Sequence, residues 1–356
     1  MNNIERIRQE LLKRGFGAMM ITSPVNRFFA AGFTSSAGVV LITAQDAWYF
    51  TDSRYIEAAG SSVTGARATL VTNNETETYY DRIKAILKEK SIASVGFEDS
   101  AVTFAGYKKW TEKLELELVP TEKLLSDLRM VKTAADLDKI TKAQRIAEKS
   151  FNEILPVIST DITEKQLAAE LVYRCVKNGA DDKSFDTIVV SGPRSSMPHG
   201  VPGDEKICSG FLTIDFGVRL DSWCSDTTRT VCIGKPDAEM VKVYDVVLRA
   251  QEAGIGYIRA NVSGRGADAA ARSVIEDAGY GACFGHGFGH GIGLEVHEAP
   301  NATKTSEDLI PAGAVISAEP GVYLPGRFGV RTEDVVYVTE NGCENLTKLP
   351  KDLIVL

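Results

Sequence analysis

The pattern of hydrophobic and polar positions divides the chain into two parts, and the first part predicts alternating helices and strands. Apolar residues at Ile4, Ile7 and Leu11 recur at helical spacing, and this stripe stops at Gly15. Strands are expected at 18–22, 39–42, 47–50 and 94–97, with a further helix at 81–88. The first part is therefore predicted to be an α/β domain.

The second part has longer helical stripes, each opened by a capping signal. Thr133 with Asp136, and Thr163 with Gln166, have the spacing of an N-cap and its third helical residue. Strands at 187–191 and 211–216 follow, and then helices at 237–253 and 266–278. Helices followed by strands, twice over, predict an α+β fold and are compatible with an internal two-fold repeat. The boundary is placed so that the domains span 1–128 and 129–356.

Composition and charge narrow the class of protein. The net charge of -8 over 356 residues argues against a nucleic-acid partner. No run approaches the roughly 20 apolar residues of a membrane span, and the N-terminal residues lack the apolar core of a signal peptide. We therefore expect a cytoplasmic protein with no membrane partner. The six cysteines contain no C-x-x-C pair, which favours reduced, buried thiols.

The stretch FGHGFGHGIGLEVHEAP, at 284–300, contains three of the four histidines of the chain. Its alternate glycines allow close approach to the backbone, so the imidazoles indicate a metal site or a transition-state site. The alternative is a tight strand and turn with buried, hydrogen-bonded histidines. His290 and His297 are an odd number of positions apart and would face opposite sides of a regular strand. A bulge or turn near 294–296 is therefore predicted between them.

Familiar nucleotide and zinc motifs are absent from the sequence. His297 and Glu298 do not continue into H-E-x-x-H, which excludes a helical zinc-protease site. The glycines do not match G-x-G-x-x-G or a Walker loop in any register, so the sequence gives no support for a dinucleotide or nucleotide site.

Two hairpins are predicted to bring acidic residues together. A turn about Leu220 and Asp221 would place Asp215 opposite Asp226. A second turn centred on Gly326 would place Glu319 opposite Glu333. Opposed carboxylates repel one another, so each pair needs compensating positive charge.

Taken singly, each of these acids could be a solvated surface group. Taken together with an imidazole, four acids need more cationic charge than one arginine supplies. Oxygen ligands combined with nitrogen favour Mn²⁺, Co²⁺, Fe²⁺ or Zn²⁺ over Ca²⁺ or Mg²⁺. Two ions that share carboxylates would lower the pKa of a bridging water and supply hydroxide near neutral pH.

Several motifs of the second part resemble those of one enzyme family. They are TIDFG, CSDTTRT, GHGFGHGIGLEVHEAP, SAEPGVY and GVRTEDVVYVTENG. Their order and spacing resemble the M24 "pita-bread" metallopeptidases, in the branch that contains aminopeptidase P and prolidase. The resemblance covers about 128–356 and implies an α+β chain with a C-terminal pita-bread (creatinase/aminopeptidase) domain.

The first part resembles the smaller N-terminal α/β domain of creatinase and prolidase. The resemblance lies in GFTSSAG, at 32–38, and in FTDSRYIEAA, which begins at 50. From the residues alone, the segments 32–38 and 50–55 either contact a substrate or form solvated loops.

The resemblance implies roles for the acids and histidines. Asp215 would chelate one metal ion, His290 and Glu319 the other, and Asp226 and Glu333 would bridge both. Glu319 would also carry the proton from the attacking water to the leaving nitrogen.

Other residues would act on the substrate. By the resemblance, His297 would hydrogen-bond the scissile carbonyl oxygen, and His199, His286 and Arg331 would bind and orient the substrate. Arg331 lies two positions from Glu333, which in a strand predicts the same face. A structural salt bridge is the alternative role for Arg331.

The implied activity is hydrolysis of N-terminal Xaa-Pro bonds, with Mn²⁺ as the expected metal and Co²⁺, Zn²⁺ or Fe²⁺ as alternatives. The expected partner is a peptide or dipeptide with proline second, and a homodimer is implied. Methionine aminopeptidase activity is disfavoured by the extra N-terminal domain, and metal-free creatinase chemistry by the complete set of ligating side chains. A catalytically inactive binding module is the remaining rival. The sequence does not decide between a dipeptidase and an aminopeptidase.

Overall fold

A computed structural model describes residues 2–72 and 77–356 and divides into two compact units, Met1–Arg129 and Met130–Leu356. Within the described residues, every helix is too short or too polar to cross a lipid bilayer.

The first unit is built on a single sheet. Its elements are α1 (Asn3–Lys13), β1 (Ala18–Ile21), α2 (Pro24–Ala31), β2 (Val39–Thr43), β3 (Ala47–Thr51), α3 (Ile56–Ser62), β4 (Arg67–Leu70), α4 (Tyr79–Glu89), β5 (Ser94–Phe97), α5 (Phe104–Leu114), β6 (Glu117–Pro120) and α6 (Leu124–Met130). The six strands lie in the order β4-β3-β2-β1-β5-β6, and β1 pairs antiparallel with β2 and parallel with β5. The predicted α/β character is confirmed, although the apolar pattern did not predict α2, α3, α5 or α6.

The polar segment at 32–38 is not a simple solvated loop. Helix α2 ends at Gly32, whose φ of 70° is left-handed, and the chain then turns inward. The buried guanidinium of Arg27 donates to the hydroxyl of Ser35 at 2.8 Å and to that of Tyr49 at 3.1 Å. Part of this segment therefore belongs to the interior of the first unit.

The second unit repeats one order of elements. Its helices are α7 (Ala134–Ile154), α8 (Glu164–Lys177), α9 (Ala238–Tyr257) and α10 (Gly264–Asp277), and short 3₁₀ turns lie at Leu155–Val157, Gly192–Ser196 and Gly281–Cys283. Its strands are β7 (Asp182–Lys183), β8 (Ile188–Ser191), β9 (Gly210–Phe216), β10 (Val218–Leu220), β11 (Trp223–Cys224), β12 (Thr227–Ile233), β13 (Val262–Ser263), β14 (Gly289–Gly291), β15 (Glu298–Ala302), β16 (Leu309–Ile310), β17 (Val315–Ala318), β18 (Gly321–Leu324), β19 (Phe328–Arg331), β20 (Asp334–Val338) and β21 (Cys343–Asn345).

Two helices precede a sheet in each half of this unit. Helices α7 and α8 precede the sheet β12-β9-β8, whereas α9 and α10 precede the sheet β15-β14-β17-β20-β21. Both predicted capping boxes are present, since the hydroxyls of Thr133 and Thr163 accept from the amides of Asp136 and Gln166 at 3.3 and 3.1 Å. The repeated order of elements predicted from the sequence is confirmed.

The unit has two apolar cores, and its halves are joined both by apolar contacts, such as that of Phe211 with Phe328, and by polar contacts. Phe151 and Phe216 pack in the first core, and Phe284 and Phe288 in the second. Between them, Arg229 of β12 is 2% exposed and donates to Asp334 of β20 at 2.9 Å. We call this contact, with the neighbouring bonds from β12 to β19 and to the segment before β20, the polar seam.

The thiols mostly follow the prediction. Every cysteine is free, and Cys175, Cys224 and Cys232 are buried, but Cys208 is exposed. Burial raises the pKa of the Cys224 thiol to about 11. Cys224 is therefore a core residue, in spite of its position two residues before Asp226.

Two glycines of α9 provide a test of packing in the second half. A Cβ at Gly254 would lie 2.3 Å from the ring of Phe288, whereas one at Gly256 would meet nothing within 4 Å. Alanine is better than glycine in a helix by about 1 kcal/mol, but overpacking a core costs about 1–3 kcal/mol. We expect Gly254→Ala to lower the melting temperature in calorimetry and the control Gly256→Ala to raise it. Equal shifts in the two variants would contradict the packing described here.

Candidate metal centre

The first acid pair comes from the hairpin that joins β9 and β12. The predicted register is wrong by two residues, because Asp215 pairs with Thr228 and not with Asp226. The turn lies at Asp221 and Ser222, whose φ values of 49° and 72° are both left-handed, as in the two-residue turns that match strand twist. Because side chains alternate along a strand, an even shift keeps Asp215 and Asp226 on one face.

The second acid pair has the predicted register. Strand β17 pairs with β20 through Ala318 and Asp334, and β18 pairs with β19 through Gly321 and Arg331. Both pairings keep the alignment that places Glu319 opposite Glu333. The turn lies at Gly326, as predicted, with a φ of 71°.

The glycines beside His290 allow neighbouring strands to approach it closely. A Cβ at Gly289 would lie 2.0 Å from the carbonyl oxygen of Ser317, and one at Gly291 would lie 2.3 Å from that of Ala299. The amide of His290 donates to the hydroxyl of Ser317 at 3.0 Å. The backbone of β14 is therefore held tightly, with β15 on one side and β17 on the other.

The predicted break between His290 and His297 is present. The register of β14 and β15 shifts between His290 and Gly291, and the chain bends from 293 to 297. The two imidazole rings lie 4.3 Å apart between centroids, edge to face. This bend brings both histidines to the same site.

Ligand atoms of Asp226, His290 and Glu333 lie within 4.8 Å of one another. The Nε2 atom of His290 is 3.8 Å from Asp226 Oδ2 and 3.1 Å from Glu319 Oε1. The Nδ1 atom of His290 donates to the carbonyl of Gly291 at 3.2 Å, which directs Nε2 toward the acids.

Burial and like charge make the acids costly in their ionised forms. Burial raises the pKa of Asp226 well above its usual value, and the charge of Glu333 raises it further. Burial likewise raises the pKa of Glu333, followed by the charges of Glu319 and Asp215. The Oδ1 atom of Asp215 and the Oε1 atom of Glu333 are buried and find no hydrogen-bond donor among the described residues. These oxygens fit the donor set of a divalent cation.

His290 and Glu319 stabilise each other's charge. Burial opposes protonation of His290, but the hydrogen bond and charge of Glu319 outweigh it and raise the pKa of His290. Burial also opposes ionisation of Glu319, and the hydrogen bond and charge of His290 outweigh it and hold the pKa of Glu319 at about 2. In the metal-free protein, the acids thus favour a proton on the imidazole of His290.

Arg331 forms the kind of salt bridge that was predicted as its alternative role. It is 3% exposed, and its Nη2 atom lies 2.5 Å from Asp215 Oδ2. Its Nη1 atom donates to the hydroxyl of Tyr323 at 2.6 Å and to the carbonyl of Pro198 at 3.2 Å, and its Nε atom donates to Thr228 at 3.3 Å. Arg331 therefore forms a buried ion pair with one of the predicted metal ligands.

Tyr323 is a residue of the site that sequence reasoning missed. Its hydroxyl lies 2.9 Å from Nε2 of His286, and Nδ1 of His286 lies 2.8 Å from the carbonyl of Gly287. Burial lowers the pKa of His286, so the neutral ring donates a hydrogen bond from Nδ1 to Gly287 and accepts one at Nε2 from the hydroxyl of Tyr323. Burial also raises the pKa of Tyr323 to about 12. A tyrosine in an apolar strand is typical of a core, so no pattern distinguished it.

The predicted site residues line one cleft of about 530 Å³ in the second unit. They are His199, Asp215, Asp226, His286, His290, His297, Glu319, Arg331 and Glu333. The sequence did not predict its other side chains, which include Phe185, Asp186, Ile188, Pro198, Asn301 and Thr303. Burial lowers the pKa of His297, followed by the charge of His290, so a neutral imidazole is available in the cleft.

Buried acids, an imidazole beside them and neighbouring neutral histidines around one cleft indicate a metal-dependent hydrolase. The chain belongs to metallopeptidase family M24, whose sequence pattern matches residues 138–340. The pattern of the creatinase/prolidase N-terminal domain matches residues 3–131. The fold is thus a creatinase-type N-terminal domain followed by a pita-bread metallopeptidase domain.

Known proteins match this chain over almost its whole length. An uncharacterized peptidase of Bacillus subtilis, YqhT, is 38% identical to this chain, and the match covers 99% of each of the two chains. A structure of an Xaa-Pro dipeptidase from Bacillus anthracis is 39% identical, with a TM-score of 0.95 and 99% of both chains covered. An X-Pro aminopeptidase structure from Thermotoga maritima is 35% identical, with a TM-score of 0.92 and both chains fully covered.

Neutralising one buried acid should stabilise the metal-free protein. At about pH 8, we expect Asp226→Asn to raise the melting temperature of the chelator-treated protein, since about 1 kcal/mol corresponds to about 2–4 °C. Added Mn²⁺ should stabilise the wild type but not this variant. The exposed Asp245→Asn is the matched control, and it should leave the Mn²⁺ shift intact. A lower melting temperature of metal-free Asp226→Asn would contradict the electrostatic account.

The stability of the metal-free protein should fall as pH rises through neutrality. A carboxyl group with a raised folded pKa, as in Asp226 and Glu333, makes stability fall as pH rises from the usual pKa of the group to its folded pKa. A histidine with a raised folded pKa, as in His290, loses its stabilising effect as it deprotonates. The lowered pKa of Glu319 acts only below its usual value of 4.5, outside this range. The rise in melting temperature caused by saturating Mn²⁺ should therefore be larger at about pH 8 than at about pH 6. Equal rises would show that the acids do not drive the effect.

Proposed function

We propose that this protein hydrolyses the bond between the first residue of a peptide and a proline in second position, with two divalent metal ions. The observation that carries the proposal is that the nine residues suggested by sequence line a single cleft. Two of the compared proteins are called an Xaa-Pro dipeptidase and an X-Pro aminopeptidase, which supports the same activity here.

The domain boundary is part of the proposal. We place the N-terminal domain at 1–128 and the catalytic domain at 129–356. The division of the structure after Arg129 supports this boundary, as does the match of the creatinase/prolidase pattern to residues 3–131.

Five side chains would hold the two ions. Asp215 would hold one ion, His290 and Glu319 the other, and Asp226 and Glu333 both. The buried oxygens without donors, on Asp215 and Glu333, support this assignment. Mn²⁺ is the proposed metal, with Co²⁺, Zn²⁺ or Fe²⁺ as alternatives. When bound, such ions would lower the pKa of water and make it nucleophilic near neutral pH.

The chain's own residues would move protons and orient the substrate. Glu319 would carry the proton from the attacking water to the leaving proline nitrogen. His297, whose neutral ring keeps one N–H, would donate to the scissile carbonyl oxygen as it gains charge. His199 and His286 would contact the proline side of the substrate. Arg331 would add positive charge there while it holds Asp215.

A proline in second position removes a hydrogen-bond donor that many peptidases use. The imide nitrogen of an Xaa-Pro bond has no N–H, so a peptidase that depends on this donor fails on the bond. Activation of water by metal ions and donation from His297 to the carbonyl oxygen do not use the missing donor. A dedicated cleft of this composition is therefore suited to the bond.

The assay of the proposal uses protein loaded with Mn²⁺ or Co²⁺ after purification. We expect release of the first residue from Xaa-Pro or Xaa-Pro-Yaa peptides, but not from matched peptides with alanine second. Two ions per chain by elemental analysis would agree with the assignment. If the protein binds two ions but cleaves no proline peptide, the proposed specificity is wrong and another M24 aminopeptidase activity is favoured. A chain that binds no metal would favour the inactive binding module.

His297 offers a variant that separates chemistry from metal binding. We expect His297→Ala to lower kcat by about 10²–10³, because it removes a donor to the developing charge. Metal content and the Mn²⁺ stabilisation should stay at the wild-type level, because His297 is not among the proposed ligands. Loss of metal from this variant would contradict the assignment.

The proposal also includes a cytoplasmic homodimer, as the family resemblance implies. Sedimentation equilibrium of the purified protein tests the dimer, and a monomer at assay concentrations would remove it from the proposal.

A further inference from the structure

A second cleft adjoins the one that holds the acids. It has a volume of about 670 Å³, and Asp186, Ile188 and His199 line both clefts. The two clefts therefore adjoin each other at these three residues. We call the second space the α8 cleft, and a ligand with one end among the acids would reach it past His199.

The walls of the α8 cleft are largely apolar. Ala168, Ala169 and Val172 of α8 form one wall, and Val201 and Pro202 form another. The small alanine side chains leave room for a guest, and Val201 is 77% exposed. An exposed β-branched residue beside an apolar helix face offers contact area to an apolar side chain.

The loop that carries His199 and Val201 is firmly anchored. The carboxylate of Glu164, which is fully buried, accepts from the amide of Ser191 at 2.8 Å, from Arg194 Nε at 3.0 Å and from the amide of Gly203 at 3.2 Å. Arg194 also donates to the carbonyl of Val201 at 2.6 Å. The exposed valine therefore stands on a fixed backbone, so little conformational entropy would be lost when a ligand binds it.

Two lysines lie at the cleft. Lys165 and Lys183 line the α8 cleft. Among the described residues, Asp186 is the only acid that lines it. Lys183 is 2.5 Å from Asp186, whereas Lys165 is 3.7 Å from the exposed Asp204. Lys165 can therefore face a negative group that enters the cleft.

We propose that the α8 cleft binds the part of a peptide substrate that follows the proline. An apolar third residue would contact Val172 and Val201, and the free carboxylate at the end of a short peptide would approach Lys165. This inference rests on the proposed Xaa-Pro activity, in which His199 contacts the proline side and the rest of the peptide leaves past it. It makes the protein an aminopeptidase for peptides longer than a dipeptide.

The test compares Ala-Pro, Ala-Pro-Leu and Ala-Pro-Leu-Leu as substrates of the Mn²⁺-loaded enzyme. For the wild type, we expect kcat/KM to be higher for the two longer peptides than for Ala-Pro. Val172→Asp places a charge in the apolar wall, so the ratio of kcat/KM for Ala-Pro-Leu to that for Ala-Pro should fall about tenfold. Val176→Asp is the matched control on the same helix, because Val176 does not line either cleft in the described chain. This control should retain the wild-type ratio.

The ratio separates the possible failures. Cleavage of Ala-Pro alone by the wild type would overturn the cleft assignment and leave the proposed function intact. Failure to cleave any of the three peptides would overturn both. If the ratio of kcat/KM for Ala-Pro-Leu to that for Ala-Pro is unchanged in Val172→Asp, peptide does not occupy the cleft. This holds whether or not the variant remains a dimer in sedimentation. If Val172→Asp fails to fold, Val201→Asp on the exposed loop replaces it, with the same expected fall.

Discussion

Buried negative charge is the constraint on which the second unit depends. Asp226 and Glu333 are almost fully buried, close to other acids, and their pKa values are raised for that reason. In the metal-free protein, positive charge comes from two sources, the guanidinium of Arg331 and a proton that the acids favour on His290. Neither source satisfies every oxygen, and the remaining demand accounts for a divalent metal centre at this place.

The surrounding structure keeps these charges close together. Glycines beside His290 let its strand approach both neighbours, and the bend after it brings His297 to the same site. Tyr323 links His286 to Arg331, so one neutral ring and one cation are oriented by a single hydroxyl. The metal centre is therefore part of a continuous hydrogen-bonded network rather than a set of separate ligands.

The sequence predicts the parts of this arrangement that depend on local signals. Gly326 marks the turn that aligns Glu319 with Glu333, and capping residues mark α7 and α8. The first hairpin contains no glycine at its turn, so the sequence does not show that Asp221 and Ser222 have left-handed backbone. The predicted register was therefore wrong by two residues. The pairing of Arg331 with Asp215 and the role of Tyr323 depend on residues far apart in sequence. Only the folded chain reveals them.

The polar seam has a consequence for the width of the cleft. Each half of the second unit supplies one acid hairpin, and the contact of Arg229 with Asp334 joins them. A buried, hydrogen-bonded ion pair tolerates only a narrow range of positions, and the close packing of Phe211 against Phe328 adds to this constraint. The seam therefore acts as a spacer that sets the distance between the two hairpins before any ligand arrives. A site built in this way is preorganised, and the free energy of closing it is contributed during folding rather than at each turnover.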